Sequence, residues 1–192
     1  LPADPAHLPP FDRAAKSVVY DDKWGQRRLD GEGNTPAFPF GFGLGYTRFE
    51  HRLLNHHFDD AGGTADVLVT NPGNRRGSTV VQIYAADVSV PRPVAQLLGF
   101  QKVTLHPGAE TTVRVSLNSG PTRQRDPATR RWFPRAGDWA LLADQHSPVS
   151  WADAVRLRCP EGPTDEEGIS QRGQTGCHLP EEWHGATAVP PT

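Results

Sequence analysis

Seven short runs of β-prone residues between Phe49 and Leu157 restrict this chain more than any other feature. Ala65, Val67 and Val69 alternate with Asp66 and Thr70, and Val113, Val115 and Leu117 alternate with Arg114 and Ser116. Val81, Ile83 and Ala85 share one face, with Val80, Gln82 and Tyr84 on the other; Trp139, Leu141 and Ala143 repeat the pattern. Phe49–Phe58, Leu97–Leu105 and Trp151–Leu157 complete the set. A period of two sends successive side chains to opposite faces of a strand, so each run has one face to bury. Asn71-Pro72-Gly73, Pro107-Gly108 and Ala136-Gly137-Asp138 supply turns between them. Strands of this length and spacing, with no long amphipathic helix among them, fold as two antiparallel sheets face to face.

Composition agrees. The 192 residues include 19 glycines and 19 prolines, a load that would break a helical bundle but suits turn-rich β structure. Net charge is −2, which gives nucleic acid or an anionic membrane no electrostatic claim as principal partner. No apolar run approaches the roughly 20 residues of a membrane span. Pro2 and Asp4 stand where a signal peptide would need a basic start and an apolar core. Methionine is absent, so the expectation is a fragment or trimmed product whose function must also be asked of its parent. Nothing selects a compartment.

Three regions follow. Residues 1–47 read as an arm, opening with a proline-rich extended stretch and ending in the connector Pro36–Phe49 (PAFPFGFGLGYTRF). That connector sets Phe38, Phe40, Phe42, Tyr46 and Phe49 among Pro39, Gly41, Gly43 and Gly45. Rings at this density call for burial, so the segment reads as an ordered wedge between two folded bodies rather than a flexible linker. Within the arm, Gly25, Gly31 and Gly33 punctuate turns, while Trp24 and Leu29 have no local partner for burial. Residues 48–158 form the sandwich, a seven-stranded antiparallel domain of immunoglobulin or fibronectin type III type. Residues 159–192 read as a largely disordered, acidic and proline-containing tail.

The blocks YDDKWGQRRLDGEGNTPAFPFGFGLGYTRF, VTNPGNRRGSTVVQIYAAD, PRPVAQLLGFQKVTLHPG and DPATRRWFPRAGDWALLA occur in that order. Together they resemble the C-terminal part of glycoside hydrolase family 3, the β-glucosidase and β-xylosidase-type enzymes that end in a fibronectin type III-like domain. The resemblance covers roughly Leu8 to Leu157 and rests most on Phe38-Pro-Phe-Gly, Arg92-Pro-Val and Leu98-Gly-Phe-Gln-Lys-Val. It implies that residues 1–47 leave an α/β sandwich domain absent from this chain and that the connector feeds the terminal module. Asn71-Pro72-Gly73 departs from the family's Asn-Thr-Gly, Gly45 from its serine and Phe42 from a common histidine, and the final hairpin lacks the usual Gly-Ser-Ser turn.

The resemblance also implies retaining hydrolysis of β-glycosides by two carboxyl groups. Both belong to upstream domains of the family, and no position here matches either, so no catalytic residue is assigned. Local carboxylates offer no substitute. Asp21-Asp22 and Asp59-Asp60 are sequence neighbours that point apart, and Glu161, Asp165, Glu166 and Glu167 form a solvated run. His51 and His57 share a face of the candidate strand but stand about 20 Å apart, too far for one metal, so they read as solvent-facing. Cys159, Cys177, His178 and His184 lack the paired spacing of a zinc site; a Cys159–Cys177 disulfide and free thiols both stay open, and no metal or cofactor is assigned. Among the tryptophans, Trp139 alternates with core positions and Trp24 faces the absent domain, while Trp151 opens the last run. Trp132, after Arg130-Arg131 in a loop, is the candidate for an exposed sugar-binding surface.

Two functions are therefore weighed. One is a non-catalytic module that braces the upstream catalytic domains of the same parent chain. The other is a carbohydrate- or surface-binding sandwich that uses Trp132 and its neighbours. The first carries a further expectation: the arm segment Ser17–Gly45, deprived of its packing surface, exchanges amide protons faster than the strands.

Overall fold

The computed structural model describes residues 2–8, 12–17, 24–59 and 61–159. All seven alternating runs become strands, and two further short strands join them. The strands are β1 (Glu50–Asp59), β2 (Gly62–Thr70), β3 (Gly77–Asp87), β4 (Gln96–Leu105), β5 (Glu110–Leu117), β6 (Arg123–Arg125), β7 (Trp132–Pro134), β8 (Gly137–Asp144) and β9 (Val155–Cys159). One sheet has the order β1-β2-β5 and the facing sheet β4-β3-β8-β9. Those seven strands make the antiparallel sandwich; β6 and β7 form a separate ribbon. The expected run Trp151–Leu157 is a strand only from Val155, paired with β8.

The period of two explains the core. Ala65, Val67 and Val69 of β2 and Val113, Val115 and Leu117 of β5 meet Val81, Ile83 and Ala85 of β3 across the interior. Leu98, Trp139, Leu141 and Leu157 belong to the same cluster, with Phe49, Phe58, Leu105 and Cys159. Each aliphatic side chain taken fully out of water contributes roughly 1.5–3 kcal/mol. Trp139 is buried, as its alternation indicated, and its indole N–H donates to the Arg135 carbonyl at 3.1 Å. On the outer face of the other sheet, Arg114 lies directly opposite Asp66 and binds it bidentately at 2.7 and 2.8 Å.

Strand β3 is buried on both faces from Val81 to Ala86. A solvent-facing outer surface would not bury Gln82 and Tyr84, so something covers it: the arm. Residues 26–32, read in the sequence as turns, form a short helix, α1 (Gln26–Glu32), which ends at Gly33 in the left-handed region (φ 73°). Leu29 is 4% exposed, so it finds the burial that its neighbours in sequence do not offer. The helix is tied to the loop between β3 and β4, where Asp30 accepts from the Ala95 amide at 3.3 Å and Arg92 donates to the Glu32 carbonyl. The arm thus has a packing surface on the sandwich, contrary to the expectation that it would be left without one.

Strand β1 also departs from regularity. Its register with β2 slips between Leu53 and Asn55, a bulge that inverts the facing of everything after it. His51, Leu53 and His56 pair with Val69, Val67 and Ala65, all on the core side. His57 pairs with Thr64 and points to solvent, so His51 and His57 do not share a face. Two adjacent leucines, Leu53-Leu54, gave no sign of the slip.

Candidate functional site

The connector is the site that sequence and structure both single out. Its entry is held by a side chain of α1 and by the main chain of the loop between β8 and β9. The Phe40 amide donates to the Gln26 side chain at 3.3 Å, and the Phe40 carbonyl accepts from the Ser147 amide at 2.7 Å. Gly41 follows with φ 81°, where an added Cβ would lie 2.5 Å from Gln82 Oε1; both conformation and space require glycine there. Gln82 itself is buried, accepts from the Tyr84 hydroxyl at 2.6 Å and donates to the Gln145 carbonyl. Gln145 in turn donates to the Phe49 carbonyl at 3.0 Å. A buried polar chain of this kind specifies one arrangement because each member left unpaired would be costly.

The exit is held as firmly. Thr47 donates to the Asn71 side chain at 2.7 Å, seated where a Cβ on Gly73 would lie 2.0 Å from its hydroxyl. Phe49 then enters the core. Between the two anchors the side chains point outward: Leu44 is 94% and Tyr46 91% exposed, and Phe38, Phe40 and Phe42 are also open. The rings of Phe38 and Phe42 lie 5.2 Å apart, tilted at 47°. The result is an apolar ledge on a fixed backbone. Beside it, Leu29, Trp24, Phe40, Leu8 and His7 line a cavity of about 400 Å³ within the arm itself.

Two ionisable groups near this face are displaced by burial. Desolvation pushes the Asp30 carboxyl up, partly offset by hydrogen bonds from Gln26 and the Ala95 amide. Burial raises the Tyr84 phenol, with Asp144 and Asp30 adding to the shift, so it stays a neutral donor to Gln82. Desolvation also lowers His51 from its ordinary 6.5, against the attraction of Asp144, and lowers His56, with His57 adding to the shift. A histidine depressed in the folded state protonates first in the unfolded chain. Stability is therefore full above about pH 6.5 and lost as pH falls through the lower folded values. Melting temperature measured from pH 7.5 down to pH 5 is expected to fall, and His51→Gln to flatten that slope; an unchanged slope in the variant would remove His51 from the account.

The other sequence candidates fall apart in space. Trp132 lies on β7, 57% exposed. Asp59 pairs with His57 at 3.2 Å rather than with a second carboxylate. Asp21, Asp22, Asp60, Glu161, Asp165, Glu166, Glu167, Cys177, His178 and His184 lie outside the described residues, as does residues 160–192 of the expected tail. Cys159 is disulfide-bonded, which removes the free-thiol reading at that position. Among the described residues no three His, Cys, Asp or Glu side chains converge as a metal site, and no helix is long and apolar enough to cross a membrane. Sequence reading missed Gln82, Gln145 and Ser147; the one available signal was a glutamine between Val80 and Tyr84 on the second face of β3.

Comparison with known proteins gives this geometry a context. Residues 79–147 match the family model of the fibronectin type III-like domain. The chain is 36% identical over 140 residues to thermostable beta-glucosidase B of Acetivibrio thermocellus, covering 69% of this chain and 18% of that protein. It is 47% identical over 103 residues to a periplasmic beta-glucosidase of Salmonella typhimurium, covering 50% of this chain and 13% of the other. Among solved structures, DesR, a beta-glucosidase from Streptomyces venezuelae, superposes with a TM-score of 0.61 at 31% identity, over 71% of this chain and 18% of that one. The chain thus spans less than a fifth of the length of these relatives, which are larger proteins.

Proposed function

We propose that this chain, which is similar to beta-glucosidases and matches the fibronectin type III-like domain over residues 79–147, is the C-terminal, non-catalytic module of a glycoside hydrolase family 3 β-glycosidase, bracing that parent's catalytic domains. In this reading residues 1–47 are the arm and connector leaving an α/β sandwich domain, and 48–158 are the brace. The parent hydrolyses β-glycosidic bonds; this portion supplies no acid, base or nucleophile. One observation carries the reading: a ledge of Phe38, Phe40, Phe42, Leu44 and Tyr46 stands open on a backbone pinned at both ends. An apolar surface on a rigid frame is built to be covered, and contiguous exposed patches of this sort mark interfaces. Its rigidity lowers the ordering cost of docking, which is what a brace requires.

The test is hydrolysis of aryl β-glucosides and β-xylosides. The purified chain is expected to release no nitrophenol above the blank, while the full parent turns the same substrates over. Turnover by the chain alone, following the protein through purification, would contradict the assignment.

A further inference from the structure

The β6–β7 ribbon is not used by the bracing role, and its neighbourhood is rich in arginine. Between Arg123 and Arg135 the sequence holds five arginines and one aspartate, in a chain whose net charge is −2. Cross-strand pairing places Arg125 directly opposite Trp132, with Arg123 two residues along on the same face. At strand rise the two arginines stand about 7 Å apart beside one exposed indole. Their guanidinium groups are oriented by backbone: Arg123 donates to the Trp132 carbonyl at 3.0 Å and Arg125 to the Arg130 carbonyl at 3.3 Å. Arg123 Nε is buried with no hydrogen-bond partner.

The turn joining the strands is equally set. Asp126 spends its carboxylate on its own loop, accepting from the Ala128 amide at 2.9 Å and from the Thr129 hydroxyl at 2.5 Å, while its carbonyl accepts from the Arg130 amide at 2.8 Å. The one acidic group of the ribbon is thereby engaged within the turn. Arg130, at the end of that turn, is the sole non-glycine residue of positive φ among the described residues (58°), so the loop keeps a costly shape.

We infer that the face of the ribbon formed by Arg123, Arg125 and Trp132 binds an acidic polysaccharide, with uronate carboxylates on the guanidinium groups and a sugar ring against the indole. Guanidinium matches carboxylate in a planar, two-point geometry. A flat, wide aromatic face suits the C–H face of a pyranose, which an acidic peptide does not present at regular intervals. The overall negative charge of the chain disfavours nucleic acid, whose binding needs a broad basic surface. This inference is independent of the bracing role, since it concerns a different surface.

The test is calorimetric titration of the whole chain with oligogalacturonate, a neutral cello-oligosaccharide and polyglutamate, at low and at high salt. Saturable binding of oligogalacturonate is expected at low salt, weakened about tenfold or more at high salt because exposed charges are screened. Trp132→Ala, and the pair Arg123→Gln with Arg125→Gln, are each expected to lose about tenfold in affinity at an unchanged melting temperature. Should a variant fold poorly, amide chemical shifts of the unmodified chain decide: perturbations by oligogalacturonate are expected at residues 123–133. Absence of saturable binding, shifts confined to another surface, or equal affinity for polyglutamate that ignores Trp132 would overturn the inference.

Discussion

Replacing Asn71 by leucine is expected to remove about 3–4 kcal/mol of stability, although the side chains are close in volume. Asn71 is fully buried where the connector, the β2 end and the β4–β5 turn converge. Its amide nitrogen donates to the carbonyls of Arg75 at 2.8 Å, His106 at 3.2 Å and Leu105 at 3.3 Å. Its side-chain oxygen accepts from Thr47 at 2.7 Å and from the Gly73 amide at 3.2 Å. Leucine would fill the space and leave all of those groups unanswered, several away from water. Backbone bonds from Asn71 to Ala109 and from Gly108 to Asn71, both 2.9 Å, would hold the corner only in outline. In thermal unfolding the variant should melt on the order of 10 °C lower. A melting point within about 2 °C of the parent sequence would show that the carbonyls find water instead.

The second large effect is at Gly99. Here the backbone of β4 comes against β5 across the sandwich edge, and an added Cβ would lie 2.1 Å from the Ser116 carbonyl oxygen. The obstacle is backbone, which cannot rotate aside as a long side chain could. The Asn118 amide, bonded to the Leu98 carbonyl at 2.9 Å, closes the same approach. Gly99→Ala must part the sheets locally and should cost about 3 kcal/mol, near the upper end for overpacking. Gly43→Ala is the matched control: nothing lies within 4 Å of a Cβ there, and its melting point should not move. Equal stability of the two variants would mean that the edge yields easily.

These positions show what the sequence could reveal. Four of the seven sandwich strands, β2, β3, β5 and β8, were legible from apolar residues recurring at period two, and the other three from β-prone runs bounded by turn signals. Gly99 was visible within Leu98-Gly-Phe, but the carbonyl it must clear comes from Ser116, brought beside it only by the fold. Helix α1 was not legible: it is seven residues long, contains Gly31, starts at Gly25 without a side-chain cap and buries Leu29 alone. Contacts with Arg92 and Ala95, some sixty residues away, hold it in place. Strands β6 and β7 were hidden because three residues each, Arg-Gln-Arg and Trp-Phe-Pro, are too short to show apolar alternation. The bulge in β1 left no mark between two leucines. At the connector, the aromatic and glycine content announced an interface, while the polar latch through Gln82, Gln145 and Ser147 depended on long-range pairing.

The bracing role is tested most directly by amide hydrogen exchange at residues 38–47, followed in this chain alone and within its full parent. In the chain alone the amides from Gly43 to Tyr46 should exchange rapidly, while those of β2 and β3 stay protected. Within the parent, protection of that ledge should rise by about a hundredfold or more, corresponding to roughly 3 kcal/mol of added local stability, with the sandwich strands unchanged. Identical exchange at residues 43–46 in both would mean that nothing rests on the ledge, and the brace would have no surface to bear on.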